Sequence, residues 1–282
     1  MRKIVIPTDF SDNAFNALKY AAKLFKYERS EFYILHAYAD EVYNTDGLLT
    51  QEFLDEFKET TRKNSDQELE KIKAHISELF PNPRHRFHCI SAFGMLIDEV
   101  NDLVDRENAD IIITSTRGKT NDRNMTFGSN TLQIIKYVQC PVLSIPESYD
   151  YSDPKKILFP TNYMLPYQKR ELKLVGELAR AFCSEIHMLY VSKFPLDSFR
   201  QKDNQQAIKE QFYDVKMIYH QEQELEKTQA ILKSIEESKI DLLILVNSRH
   251  SYLENILYQS TLDRIGLHPK IPFLVLQNFH RT

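Results

Sequence analysis

A polar run in the first half of the chain has the residue types that hold phosphates in proteins. It reads Gly128-Ser129-Asn130-Thr131 and stands at the expected start of a helix. A glycine lets the backbone approach a phosphate closely. The hydroxyl, amide and N-terminal N–H groups that follow donate hydrogen bonds where the helix dipole favours an anion. The sequence therefore predicts an anion-binding helix start at this run.

Two further polar runs follow segments that look like buried strands. Pro7-Thr8-Asp9 follows the first apolar run, and 114–120 (Thr-Ser-Thr-Arg-Gly-Lys-Thr) follows a later one. In open parallel α/β sheets, ligands bind beyond the carboxyl ends of the strands, where the strand order reverses. We therefore expect both runs to border a ligand site. The simpler alternatives are that Asp9 only caps the next helix and that Gly118 and Gly128 only form turns.

The sequence lacks several familiar catalytic and metal-binding patterns. A Walker A loop needs a glycine five residues before its lysine, but Thr114 stands at that distance from Lys119. No His/Cys/Asp cluster has the spacing of a metal site, and no Ser/His/Asp arrangement suggests a nucleophile. His36 and His187 lie on apolar runs and are expected to pack in the core. We therefore expect a protein that is not an enzyme.

The elements that would position these runs occur twice. Three segments of the first half reappear in the second: 4–10 as 157–163, 109–113 as 240–244, and 140–145 as 271–276. A repeat longer than a hundred residues indicates two domains rather than a solenoid. The polar junction at 147–154 is expected to be the linker. The sequence therefore predicts domains at 1–148 and 154–282.

The order of the elements indicates the fold class. Each half alternates short apolar runs, typical of strands buried in a parallel sheet, with helical patterns. Ser11 or Asp12 would cap the first helix, and an insertion at 42–80 has Leu and Phe residues at helical spacing. Strands that alternate with helices imply crossover connections. We predict two tandem, open-sheet, mostly parallel, doubly wound α/β domains.

The composition is typical of a globular protein and bears on its partners. Of the 282 residues, 42% are hydrophobic and 27% are charged, and the formal net charge is −4. An acidic balance argues against a nucleic-acid groove. No apolar run has the length of a signal peptide or a membrane span, and the three cysteines lie far apart, as in reduced proteins. We expect a cytoplasmic protein without nucleic-acid or membrane partners.

These segments together resemble the universal stress protein family. The resemblance rests on Pro7-Thr8-Asp9-Phe10-Ser11, the strand end Leu35-His36-Ala37, Ala109-Asp110, the spacing from Gly118 to Gly128-Ser129, and Cys140-Pro141-Val142-Leu143. Both halves show this frame, so the chain resembles a tandem universal stress protein with an adenine-nucleotide α-hydrolase-like fold in each half. The nucleotide-binding branch of the family has the signature G-x2-G-x9-G-[ST], and Ser115 stands at its first glycine.

The resemblance implies an adenine-nucleotide site in the first half. Its residues would be Pro7, Thr8, Asp9, Ala37, Thr114, Ser115, Arg117, Gly118, Gly128, Ser129, Asn130 and Thr131. Asp9 and the backbone near Ala37 would face the adenine and ribose, and the run from Gly128 would hold the phosphates. The implied ligand is ATP or another adenine nucleotide, with or without magnesium.

The second half departs from this pattern. Asn162 replaces the aspartate, and the four signature positions are occupied by Asn247, His250, Ser260 and Thr261. Without glycine the backbone cannot approach a triphosphate closely, so we expect no adenine nucleotide in this half. Ser260, Thr261 and Arg249 could still hold a smaller anion. Arg249 matches Arg117, and either arginine could instead serve a domain interface.

These patterns favour a stress-response or regulatory protein that binds ATP or a related adenine nucleotide and acts through a conformational or partner response. The alternatives are an interaction module that binds no nucleotide, which Ser115 supports best, and a slow ATP hydrolase. The short closing strands, 142–145 and 273–276, would lie at sheet edges that need a partner. We therefore expect intramolecular pairing of the two domains as a pseudo-dimer, and a homodimer of the whole chain is left open.

Overall fold

The chain forms two compact units, and the division falls between Ser148 and Tyr149. The computed structural model describes residues 1–43, 51–116, 128–223, 226–248 and 270–278. Each unit is an α/β domain, and the two are described separately below.

The first unit alternates strands and helices along the chain. Its described elements are β1 (Arg2–Pro7), α1 (Asp12–Leu24), β2 (Ser30–Ala37), α2 (Ala39–Tyr43), α3 (Gln51–Leu79), β3 (His85–Ala92), α4 (Leu96–Glu107), β4 (Ile111–Ser115), α5 (Ser129–Tyr137) and β5 (Val142–Ile145).

The sheet of the first unit has the order β3-β2-β1-β4-β5, and its neighbouring strands are parallel. Ile4 of the central strand pairs with Phe32 on one side and with Ile111 on the other. Ile4, Val5 and Ile6 are fully buried, because both faces of the sheet are covered by helices. The chain adds strands outward from β1 to β3 and then returns to β4. The strand order therefore reverses between β1 and β4, which places their carboxyl ends side by side.

The second unit has the same strand order. Its described elements are β6 (Lys156–Pro160), α6 (Lys169–Phe182), β7 (Glu185–Val191), α7 (Phe199–Gln211), β8 (Lys216–Glu222), α8 (Lys227–Ser238), β9 (Leu242–Asn247) and β10 (Phe273–Gln277). The sheet runs β8-β7-β6-β9-β10 with parallel neighbours. The predicted fold class, two tandem open and mostly parallel α/β domains, is confirmed.

The first helix begins where the sequence predicts. Ser11 is its N-cap, and the Ser11 hydroxyl oxygen accepts a hydrogen bond from the backbone N–H of Ala14 at 3.2 Å. This bond satisfies one of the N–H groups that have no acceptor within the helix. Ala17, Leu18 and Ala21 lie on the buried face of the helix. Local capping and an apolar stripe therefore fix the position of α1 directly after β1.

The insertion of the first unit forms the short helix α2 and the 29-residue helix α3. Leu69 and Ile76 of α3 are fully buried, and α3 packs along β3. The helical spacing predicted for the insertion is confirmed for 51–79. Phe53 is 52% exposed, so the apolar stripe is not buried at the start of the helix. In the described part of the chain, no helix combines the length and the apolar character that crossing a membrane requires.

Candidate functional site

A cavity of about 230 Å³ lies at the carboxyl ends of β1 and β4 in the first unit. This is the point where the strand order reverses, the usual ligand position in an open parallel sheet. The residues that were predicted as a site and that line this cavity are Pro7, Thr8, Asp9, Ala37, Thr114, Ser115, Gly128, Ser129, Asn130 and Thr131. Arg117 and Gly118 lie outside the described residues. The fold therefore brings together every predicted site residue that the structure describes.

A tight turn after β1 places Asp9 at the cavity. The Phe10 N–H donates to Thr8 Oγ1 at 3.1 Å, and Phe10 has a φ of 62°, in the left-handed region. That conformation costs a non-glycine residue roughly 1–3 kcal/mol and persists where the surroundings enforce it. Asp9 Oδ1 accepts hydrogen bonds from the Ser11 N–H at 3.0 Å and the Ser11 hydroxyl at 2.6 Å. Contrary to the simpler alternative, Asp9 therefore does not cap α1 itself but holds the N-cap residue Ser11, and it also lines the cavity.

The N-terminus of α5 also forms part of the cavity wall. Gly128 is the N-cap and contributes no side-chain hydrogen bond, and the first turn carries no acidic residue. The first N–H groups of a helix have no acceptor within the helix, and together they carry a partial positive charge. Ser129 and Asn130 are exposed and line the cavity. This end of the cavity is therefore suited to an anion.

Two residues of this wall act differently from the sequence-based hypothesis. Gly128 has a φ of −61°, which any residue can adopt, and its N–H donates to the Thr116 carbonyl at 2.8 Å. What glycine contributes is therefore the absence of a side chain at the wall. The buried Thr131 hydroxyl donates to the Ser115 carbonyl at 2.8 Å. The Thr131 side chain thus anchors α5 to β4, and its backbone N–H is the group left for an anion.

Acidic side chains beyond β2 also line the cavity, and the sequence reasoning missed them. Asp40 and Glu41 belong to α2 and follow the end of β2 by three and four residues. The rule that led to Asp9, which searches for polar residues just beyond a strand, would have found them as well. With Asp9, they bring the carboxylates that line the cavity to three. Carboxylates accept hydrogen bonds, so they are suited to ligand groups that donate them.

His36, at the end of β2, connects the cavity to the insertion. The residue is 3% exposed, as predicted for a packed core histidine, and it lines the cavity. Nδ1 lies 2.8 Å from Ser65 Oγ on α3, and Nε2 lies 3.2 Å from Glu41 Oε1 on α2. The Phe10 ring packs against it, with 4.4 Å between ring centroids. Both ring nitrogens are therefore within hydrogen-bonding distance of protein side chains.

The second unit repeats the turn but not its acidic residue. The Tyr163 N–H donates to Thr161 Oγ1 at 3.0 Å, and Tyr163 has a φ of 56°, close to that of Phe10. Asn162 Oδ1 accepts from the Met164 N–H at 3.0 Å, so an amide stands where the first unit has a carboxylate. The backbone of this turn is thus the same in both units, although its chemistry differs.

Helix α7 of the second unit is bonded to this turn. The Gln201 side-chain amide donates to the Asn162 carbonyl at 2.8 Å, and the Asn204 amide donates to the Tyr163 carbonyl at 2.8 Å. Asn247, the first signature position, donates to Gln277 Oε1 at 2.8 Å. Polar groups around the end of β6 are therefore used within the unit. The remaining signature positions, His250, Ser260 and Thr261, and also Arg249, lie outside the described residues.

Comparison with known proteins decides the family. Residues 1–146 match the model of the universal stress protein family. The chain belongs to the universal stress protein family. It is 29% identical over 144 residues to universal stress protein MJ0531 of Methanocaldococcus jannaschii, an alignment that covers 51% of this chain and 81% of that protein. It is 31% identical over 157 residues to universal stress protein MJ0577 of the same organism, covering 51% of this chain and 94% of the relative.

The fold comparison extends to both halves of this universal stress protein. A crystal structure of a universal stress protein from Archaeoglobus fulgidus matches it with a TM-score of 0.68 at 17% sequence identity. The match covers 98% of each chain. At that identity the likeness concerns the fold alone. The family match therefore covers the first half, and the second half shares the fold of that solved universal stress protein.

Proposed function

We propose that this universal stress protein binds ATP or a related adenine nucleotide in its first unit and acts through a conformational or partner response. The observation that carries the proposal is the cavity at the reversal between β1 and β4. Three carboxylates and the N-terminus of α5, which has no side-chain cap, line this cavity. A ligand that fits carries both hydrogen-bond donors and an anion.

An adenine nucleotide has this distribution of groups. The exocyclic amine of adenine and the ribose hydroxyls donate hydrogen bonds, which Asp9, Asp40 and Glu41 can accept. The phosphates would lie at the start of α5, where Ser129 and Asn130 donate from exposed positions. Gly128 has no side chain, which leaves room for the phosphates at the cavity wall. Within the described residues, no cluster of three or more His, Cys, Asp or Glu side chains could hold a metal ion, so the proposal assigns no residue to magnesium.

The state of the titratable residues supports binding without rapid turnover. A general base must reach the proton that it abstracts. His36 has Ser65 and Glu41 at its two ring nitrogens, and Asp9 accepts two hydrogen bonds from Ser11. Neither side chain is poised to activate a water molecule at the phosphate end. We therefore propose a binding protein rather than an efficient hydrolase.

The differences between the two units support one nucleotide per chain. Asn162 replaces Asp9, and two amides of α7 occupy the backbone carbonyls of the equivalent turn. The second unit therefore offers neither the carboxylate nor an open turn. We propose that it binds no adenine nucleotide.

The test is to identify and then displace the bound nucleotide. Protein purified under native conditions is denatured, and the released small molecules are identified by mass spectrometry. A fluorescent ATP analogue is then titrated into the wild type, Gly128→Ala and Gly128→Val. Both variants should fold, because a φ of −61° suits any residue. We expect Gly128→Val to lose binding, because the valine side chain would fill space at the cavity wall. Gly128→Ala, with its smaller side chain, should retain more of the binding. No binding by the wild type would favour the interaction module without nucleotide.

A further inference from the structure

The outermost strand of the first unit is covered by a helix on one face. Helix α3 packs along β3, where Cys89 Sγ donates to the Leu69 carbonyl at 3.4 Å and Ser91 Oγ donates to Ser65 Oγ at 2.9 Å. Leu69 and Ile76 of α3 are fully buried. This face of the outer strand is thus built to receive an amphipathic helix.

The strand register identifies the same face in the second unit. Ile34 of β2 pairs with Cys89, and Met188, the matching residue of β7, pairs with Tyr219. Tyr219 of β8 therefore occupies the position that Cys89 has in β3. Side chains alternate between the faces of a strand, so Met217 lies on the same face as Tyr219.

No comparable helix covers this face in the described part of the second unit. Helix α7 has 13 residues, against 29 in α3, and its buried residues are Gln201 and Ile208. A cavity of about 430 Å³ lies between the end of α7 and β8. Its apolar lining, which we name the β8 face, consists of Phe212, Tyr213, Val215, Met217 and Tyr219. Tyr213 is 83% exposed and Tyr219 is 46% exposed.

We propose that the β8 face is a docking surface for an amphipathic helix of a partner protein, seated as α3 is seated on β3. The first unit shows what this face of the fold accepts. Helices dock in such grooves through apolar residues on one side, spaced about one turn apart. Lys209 and Glu210 both line the cavity beside the β8 face, and Glu210 Oε1 accepts a hydrogen bond from Gln206 Nε2 at 2.9 Å. With one charge of each sign, the polar border sets no charge for the partner, and the apolar stripe of the helix carries the docking.

The openness of the β8 face favours a helix over a small molecule. Ligand sites bury about 70–90% of a drug-sized molecule. A molecule lying against Tyr213, which is mostly exposed, would remain largely in water. A helix instead covers an open groove along its length. The inference is independent of the nucleotide site, because every residue of the β8 face belongs to the second unit.

The test uses the full chain and a labelled synthetic peptide of residues 51–79, the protein's own α3, as the probe. Fluorescence anisotropy should show saturable binding to the wild type. Tyr219→Lys should weaken it by at least about tenfold, because the helix would bury an unpaired charge. Phe199→Lys is the matched control: Phe199 is 88% exposed and lies outside the β8 face. A peptide with Leu69→Lys should not bind. Absent binding, or equal binding to Tyr219→Lys, would overturn the proposal.

A second measurement tests for the natural occupant. A photoreactive benzophenone side chain in place of Tyr213 is cross-linked in cells, and the attached segment is mapped by peptide sequencing. Attachment to an amphipathic helix of another protein supports the proposal. Attachment to a second copy of this chain, together with a dimer in sedimentation that Tyr219→Lys dissociates, would show a self-association face instead. A small apolar molecule that co-purifies with the wild type and not with Tyr219→Lys would also contradict the proposal.

Discussion

Replacing Asn130 by aspartate should move stability and nucleotide affinity in opposite directions. Asn130 is the second residue of α5, is exposed, and lines the cavity, and the first turn of α5 has no acidic residue. The substitution keeps the shape of the side chain and adds one negative charge. A carboxylate in the first turn stabilises a helix by roughly 0.3–1 kcal/mol through the helix dipole. For a unit of this size, that gain corresponds to a rise in melting temperature of about 1–4 °C.

The same charge would repel a phosphate at the start of α5. Two unit charges about 4 Å apart repel each other by roughly 4 kcal/mol at an effective dielectric constant of 20. Solvent and salt reduce that value at an exposed position, so we expect a loss of about 1.4–2.8 kcal/mol, or roughly 10–100-fold in the Kd for ATP. Thermal unfolding without ligand and calorimetric titration with ATP should be measured on the same preparation.

The matched control for this experiment is Gln229→Asp. Gln229 is exposed in the first turn of α8 and belongs to the second unit, and its N–H donates to the carboxylate of the N-cap Glu226 at 3.3 Å. It is therefore a control for the added charge and not for the gain in stability. Its substitution changes the net charge of the chain by the same amount and should leave the affinity for ATP unchanged. An Asn130→Asp protein that is more stable but binds ATP as the wild type does would refute the placement of the phosphates at α5.

Three further outcomes follow from the same geometry. Thr131→Val should lower the stability of the first unit by about 0.5–1.5 kcal/mol in denaturant unfolding, because the buried Ser115 carbonyl loses its 2.8 Å hydrogen bond from Thr131 and keeps the longer one from Thr114 Oγ1 at 3.4 Å. Thr131→Ser should recover most of that loss. Phosphate release from ATP should stay far below the roughly 1–1000 per second of typical enzymes, and turnover in that range would overturn the non-catalytic proposal. Burial, and to a smaller extent the nearby His220, lowers the pKa of His187. Below about pH 6.5, the unfolded chain therefore binds a proton at this histidine more readily than the folded chain does. The second unit should therefore lose stability when the pH is lowered from 7.5 to 5.5, as measured by hydrogen exchange. The loss should be smaller in His187→Tyr, a substitution chosen because the first unit has a tyrosine at the matching position.

Local signals in the sequence account for most of the fold. The aliphatic run Ile4-Val5-Ile6 predicts a strand buried on both faces, and Ser11 predicts the start of α1, because each depends on residues within a few positions. The repeat of these signals predicts two domains of one fold. The pairing of the two domains through their closing strands stays a prediction.

The side-chain directions within the site could not be predicted in the same way. The sequence gives Thr131 as a candidate donor to an anion, but the choice between the ligand and the Ser115 carbonyl depends on how α5 packs against β4. The contacts of His36 with Ser65 and Glu41 depend on how the insertion folds back over β2. The bonds from α7 to the turn after β6 are likewise long-range. Tertiary packing decides these contacts, and the types and spacing of neighbouring residues in the sequence do not determine it.

The most direct test of the central claim is the stoichiometry of ATP binding to the full-length chain. Calorimetric titration should give about one site per chain for the wild type, and Gly128→Val should abolish the heat of binding. The circular dichroism spectrum of that variant should match the wild type, which would show that the loss comes from the cavity wall. Two equal sites per chain, or a single site that survives Gly128→Val, would contradict a nucleotide site that is formed by the first unit alone.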